Sequence, residues 1–363
     1  MRRNTSLLQL RARTQVRILL LIVAFTLTAL ALLAWRFSRH ETIYNGNPSS
    51  YWVELAIRGD QSPETLDALK ALGPEAILPL LDSMQGADSI GNSLFRWTYG
   101  KIPDRMRRYV RHAPRDSESR SRSYMVLNRI SDSVKPSDAP LLVPRLIPLL
   151  VDFDNRPSGL FVDEETHVAI PHGLYVRSIA AAMLASIGPN AEAAVPTLTG
   201  ALRDPRWDKY FPTLVPEALG QIGPRAKSAV PTLKKILNES SPQKAVAIVE
   251  ALWRIDPPEG EVGIPLLENA LRDTNQPVRL SAARLHWKMK GKADVVLPVL
   301  LDLLRAKENP WRDEAWQALG EMGPAAREVL PEVKALARSA SEKDAKTAQE
   351  ALEKIESLSP ASH

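Results

Sequence analysis

The chain has no cysteine at all, and six histidines and 6% aromatic residues are all it offers of two other groups that often build sites. Without cysteine there is no disulfide, no thiolate metal site and no cysteine nucleophile. The histidines, at 40, 112, 167, 172, 286 and 363, are scattered. Also missing are a P-loop, a GxGxxG run, HExxH and GxSxG, and there is no alternating strand pattern on which such motifs are mounted. The first 40 residues hold no acid. Five arginines (Arg2, Arg3, Arg11, Arg13, Arg17) precede Ile18, so the overall charge of +5 sits largely at one end. From Glu41 onward 40 basic residues face 42 acidic ones. Phosphate neutralisation needs clustered Lys and Arg along the contact face, and a body that is near-neutral as a whole argues against it, so no nucleic acid is expected as a partner.

What is present is a repeat. IGPNAEAAVPTL (187–198) returns as IGPRAKSAVPTL (222–233), then more loosely as DPPEGEVGIPLL, MKGKADVVLPVL and MGPAAREVLPEV. The second proline of each copy falls at Pro196, Pro231, Pro265, Pro298 and Pro331, giving steps of 35, 34, 33 and 33 residues. Such a period marks a solenoid of one repeated supersecondary unit. Apolar stripes at helical spacing, such as Ile179, Met183 and Ile187 or Val278, Ala282, Leu285 and Met289, define a helix A. Gly188, Gly223 and Gly323 stand where that helix ends and positive φ is wanted. The second proline suits the first turn of helix B, whose stripe is Leu198 and Leu202 or Leu233, Ile236 and Leu237. These readings predict an all-α, right-handed solenoid of about seven helix pairs with one terminal half-pair and no sheet.

The small-residue-rich helix A ending in Gly-Pro and the proline-opened helix B resemble HEAT repeats of the bacterial lyase-HEAT-like type. Asp273, Val278 and Arg279 are similar to the Asp and Val-Arg pair of such repeats, and the resemblance implies a charge ladder between neighbours. It covers about 62–355 and says little of function, because sites are grafted onto folds.

Residues 18–35, ILLLIVAFTLTALALLAW, are uncharged. As a helix they reach about 27 Å, close to the roughly 30 Å of a bilayer core. A cleaved signal peptide is the alternative, since Ala29-Leu30-Ala31 imitates a cleavage site, but the apolar run continues past it. The expectation is an α-solenoid preceded by one N-terminal transmembrane helix: a basic cytoplasmic tail at 1–17, a signal-anchor at 18–35, a juxtamembrane connector at 36–61 and the HEAT-like solenoid at 62–363. The arginine excess before the span places the solenoid outside the cytoplasm, in the periplasm if the source is bacterial. Tyr44, Gly46, Pro48 and Trp52 resemble the lead-in of many membrane-anchored bacterial HEAT-like proteins, and read alone they make a hydrophobic lid on the first repeat.

Two inserts interrupt the period. Residues 86–122 carry Ile102, Met106, Tyr109 and Val110 on one helical face, with a polar loop at Ser117–Ser123. Arg105, Arg107, Arg108 and Arg111 surround the face. Either the stripe packs on the first repeat with solvated arginines, or the arginines contact anionic lipid or an acidic partner. Between the inserts, Pro136, Pro140, Pro144 and Pro148 predict a bent or irregular pair. Residues 154–173 hold Asp163, Glu164, Glu165, His167 and His172, a set that could ligate a hard metal or be a solvated loop. His286 reads as a satisfied structural histidine. Trp207, Trp253, Trp287, Trp311 and Trp316 read as core. A stripe of Ala345, Ala348, Leu352 and Ile355 caps the C-terminus.

No catalytic residue, metal or cofactor is assigned. The expected function is a non-catalytic, membrane-tethered scaffold whose B helices present a surface to a protein or peptide partner. The alternative, implied by the resemblance, is a lyase-like enzyme acting on a tetrapyrrole or other ligand in the solenoid groove.

Overall fold

The computed structural model describes residues 41–85, 116–151, 160–162, 169–306, 309–338 and 342–357. An antiparallel turn of two-residue strands, β1 (Ile43–Tyr44) and β2 (Asn47–Pro48), leads into α1 (Ser49–Ile57). Seven pairs follow. They are α2 (Pro63–Leu72) with α3 (Pro74–Gln85), α4 (Asp116–Ile130) with α5 (Ala139–Leu149), and α6 (His172–Ile187) with α7 (Val195–Ala201). After a short α8 (Pro205–Tyr210) come α9 (Leu214–Ile222) with α10 (Val230–Leu237). The fifth pair is α11 (Pro242–Ile255) with α13 (Ile264–Ala270), joined by the one-turn α12 (Pro257–Gly260). Then come α14 (Gln276–Lys290) with α15 (Ala293–Arg305), and α16 (Arg312–Met322) with α17 (Leu330–Arg338). The half-pair is α18 (Glu342–Glu356). Each A helix packs on the next, α6 on α9, α9 on α11, α11 on α14, α14 on α16 and α16 on α18. One continuous core results.

The elbow between A and B has a physical logic. Gly188, Gly223 and Gly323 take φ of +65°, +68° and +53°, a region costly for residues with a Cβ. The chain then winds as a 3₁₀ turn over Gly188–Ala194, Gly223–Ala229 and Gly323–Val329. Ala191, Ala194, Ala226, Ala229 and Ala326 are buried in these turns, which explains the alanines of the repeat. Pro196 and Pro231 open helix B as expected. Pro298, like Pro79 of the first pair, instead lies inside its helix, because there the turn before it is α-helical.

Several expectations need correction. Two small ladders exist: β1–β2, and β3 (Leu160–Val162) with β4 (Ala169–Pro171) inside the second insert. The Ser117–Ser123 loop is helical, part of α4, and buried Ser123 hydrogen-bonds Ser83 Oγ at 3.0 Å. The proline-rich pair is irregular only at two 3₁₀ turns (Ser131–Ser133, Pro136–Asp138), while α5 runs through Pro144 and Pro148. In α18 the inward residues are Asp344, Ala348, Ala351 and Ile355, with Leu352 at the margin and Ala345 exposed.

The N-terminal lid is present. Trp52 is buried, donates Nε1–H to Tyr44 O at 3.1 Å and meets the Tyr44 ring edge-on. Among the described residues no helix is long and apolar enough to cross a membrane. The expected span at 18–35 lies outside them.

Candidate functional site: a groove across the A helices

The expected charge ladder exists with different partners. Asp273 accepts the Asn275 N–H, whereas Arg279 Nη1 reaches Asp302 of α15 at 3.0 Å. A buried cation recurs in other A helices. Arg177 pairs with Asp204 at 3.1 Å and donates to Val151 O. Lys244 pairs with Asp208 and donates to Leu202 O at 2.9 Å. Arg312 pairs with Asp344 at 2.7 Å and donates to Leu304 O. Val151, Leu202 and Leu304 lie at or just past the ends of B helices, where unpaired carbonyls and the negative end of the helix dipole favour a cation. Arg177 and Arg312 thereby join successive repeats, and Lys244 ties the fifth pair to the end of the third and to α8.

Among the described residues that stack carries a groove of about 320 Å³. Its walls are A helices: Thr213, Glu217 and Gly220 at α9, Gln243 to Arg254 along α11, Pro277, Val278 and Ser281 on α14, and Trp311 at the start of α16. The sequence alone points to the B helices as the partner surface. On the described B-helix and elbow side, exposed ion pairs between neighbouring repeats occupy the charges instead, among them Lys234–Glu259 at 2.8 Å, Lys227–Asp256 at 3.0 Å and Arg305–Glu332.

Gly220 makes the floor shallow, since a Cβ there would stand 3.0 Å from Ala251 Cα and force α9 and α11 apart. Val246, Ala247, Ala251 and Val278 form the apolar lining. The polar wall is unbalanced. Arg254 is committed, with Nη2 and Nε to Glu250 Oε1 at 2.7 and 3.1 Å and Nη1 to Gln221 at 3.0 Å. The Glu217 side chain makes no ion pair or hydrogen bond among the described residues, while its N–H donates to Thr213 O at 2.9 Å. Burial of its carboxyl, and then the neighbouring Glu250, raise its pKa, while Arg254 opposes them. One arginine therefore faces two carboxylates.

Trp311 is 39% exposed, unlike Trp207 and Trp316, which are buried as expected, and Trp253 and Trp287, which are partly so. Periodicity puts it on the stripe of Ala315, Ala318 and Met322, but α16 begins only at Arg312 and Trp311 has φ −95° and ψ 19°. The ring therefore leaves the core. Its backbone is held on both sides. Buried Asn309 accepts the Trp311 N–H at 3.0 Å and donates to Leu303 O, and Arg312 is the buried cation described above. Sequence reasoning missed Glu217, Glu250 and Trp311 as a set. The available signal was Asn309-Pro310 just before Trp311, a turn that takes the tryptophan out of the helix.

His286 is buried as expected, yet its Nδ1 has no hydrogen-bond partner, and burial lowers its pKa. Arg105, Arg107, Arg108 and Arg111 lie outside the described residues, as do Asp163, Glu164, Glu165 and His167. His172 is described and opens α6. No cluster of three potential metal ligands occurs among the described residues.

Comparison with known proteins agrees with this architecture. Residues 230–320 and 264–353 match the HEAT repeats family model. No curated protein matches the chain. Among solved structures, the complex of CpcE and CpcF of phycocyanin lyase from Nostoc sp. PCC7120 is similar at 22% identity and a TM-score of 0.41, over 65% of this chain and 89% of that one. The karyopherin Kap121p bound to the SUMO protease Ulp1p is similar at 13% identity and TM-score 0.44, over 84% of this chain and 32% of that one. Kap121p bound to the extreme C-terminus of the protein phosphatase Cdc14p gives 14% and 0.42, over 85% and 33%. The chain thus spans about a third of the karyopherin's length. These are likenesses of helical architecture. The stretch from 230 to 353 carries HEAT repeats, within a stack of helix pairs that continues on its N-terminal side.

Proposed function

We propose that this protein is a non-catalytic, membrane-tethered scaffold that binds a protein or peptide partner in the groove across its A helices. The carrying observation is the groove itself, which crosses several successive repeats and is walled by A helices packed one on the next. A concavity that runs across several repeats suits an extended chain.

The tether is residues 18–35, and the arginine excess before them favours a solenoid outside the cytoplasm, periplasmic if the source is bacterial. The described chain enters at the lid, where Thr42 Oγ1 donates to Glu75 at 2.8 Å, so the anchor joins one end of the stack and the groove lies several repeats away. The test is mild crosslinking of the full chain in its native membrane, with identification of what is joined to it, alongside a C-terminal reporter active only in the cytoplasm. A polypeptide joined through the groove helices and a silent reporter support the reading. Purified protein carrying a visible chromophore, or an active reporter, contradicts it.

A further inference from the structure

The groove's two ends differ in chemistry, and that difference selects an occupant. At the α9 and α11 end stand Glu217 and Glu250 with Arg254 already engaged, leaving a net negative charge and free carboxylate oxygens over an apolar floor. At the α14 and α16 end stands the exposed indole of Trp311 beside Pro277 and Val278. Packed helices lie about 8–10 Å apart. From Glu217 on α9 to Val278 on α14, as from Glu250 on α11 to Trp311 at the start of α16, is two such steps, which an extended chain at about 3.3 Å per residue covers in roughly five residues.

We propose that the groove takes an extended segment of a partner polypeptide, seating a lysine or arginine against Glu217 and Glu250 and an apolar side chain, about five residues away, against Trp311 and Val278. This rests on the scaffold reading above and names the class of partner. Charge complementarity decides the polarity of the segment. An acidic one would bring a third carboxylate beside two, and a neutral one would leave the second carboxylate without a counter-charge. Rigidity decides its form. Because Asn309 and Arg312 fix the backbone on either side of Trp311, the ring is presented before binding, and little ordering remains to oppose association.

The test uses the full chain in detergent and dye-labelled nine-residue peptides of alanine and glycine. They carry one leucine and, five positions away, a lysine, a glutamine or a glutamate, and binding is followed by fluorescence anisotropy. The lysine peptide should bind at least tenfold more tightly than the glutamine peptide, with the glutamate peptide weaker still. Glu217→Gln should remove the preference for lysine over glutamine. Trp311→Ala should weaken the lysine and glutamine peptides alike, about tenfold. Neither variant should unfold the chain, since the Glu217 side chain has no hydrogen bond or ion pair among the described residues and Trp311 is exposed, and helical circular dichroism with a melting midpoint no lower than wild type checks this. Equal binding of the three peptides, or a lysine preference that survives Glu217→Gln, overturns the proposal. If a partner crosslinks through the groove while the peptides bind alike, the basic class fails and the scaffold stands. If nothing crosslinks there, the scaffold reading itself fails.

Discussion

Arg312 and Asp344 form a buried ion pair at 2.7 Å, each less than a tenth exposed, and it ties the last complete repeat to the terminal helix. The same arginine donates to the carbonyls of Leu304 and Ala306 at the end of α15. One side chain therefore joins three elements and fixes the start of α16, where Trp311 emerges. Removing one member of such a pair leaves the other charge buried. Asp344→Ala should destabilise the C-terminal repeats by roughly 3–5 kcal/mol. Hydrogen exchange should show the loss first in Glu342–Glu356 and only later in α6 and α9.

Two glycines make opposite predictions about cause. Gly223 has φ +68° and open space, the nearest atom to an added Cβ being Arg254 O at 3.9 Å. Gly223→Val should cost about 1 kcal/mol or more through backbone conformation alone, and Gly223→Asn should not escape that cost, because ψ −140° lies outside the left-handed helical basin that asparagine tolerates. Gly263 has φ −87°, but a Cβ there would meet Val249 Cγ2 at 2.2 Å. Gly263→Ala should therefore be destabilising, and the second change Val249→Ala should relieve it in part. Thermal melting of the four variants distinguishes the two causes.

Much of this architecture was legible in the chain. The proline ruler gave the repeat count, and the Gly-Pro elbows gave the boundaries, because positive φ and a missing N–H are local properties of single residues. The parts not legible depend on contacts between distant residues. Whether Arg279 pairs with Asp273 or Asp302 is settled by how α15 folds back, and one residue of offset at the start of α16 decides that Trp311 leaves the core. Ser117–Ser123 looked like a loop by composition. It is helical, with Ser123 packed against α3.

Glu217 should oppose folding at neutral pH. Its folded pKa is raised above the ordinary 4.5, so the folded state binds a proton more readily than the unfolded chain. The groups acting on it are Glu250 and Arg254 of α11. Glu217→Gln should not melt below wild type at pH 7, and any advantage should shrink as pH falls through the raised pKa and vanish below about 4.5. An advantage growing toward acid would contradict this sign.

His286 runs the other way. Its pKa lies below 6.5 because burial disfavours the imidazolium, with Glu268 and Asp294 opposing burial and Lys292 and Lys290 reinforcing it. The unfolded chain therefore binds the proton first, and stability should fall as pH drops below about 6.5. In His286→Gln that part of the acid sensitivity should be missing, as read by denaturant midpoints at pH 7.5 and 5.5.

The central claim is that the A-helix groove, and not the B-helix side, meets the partner. A photoreactive amino acid placed at Trp311, at Gln243 or at Lys235 of α10 in the full-length chain, irradiated in the native membrane, tests it directly. The account predicts polypeptide adducts from positions 311 and 243, suppressed by excess lysine-containing peptide, and none from position 235. Adducts confined to position 235, or adducts at the groove that the peptide leaves unchanged, would contradict it.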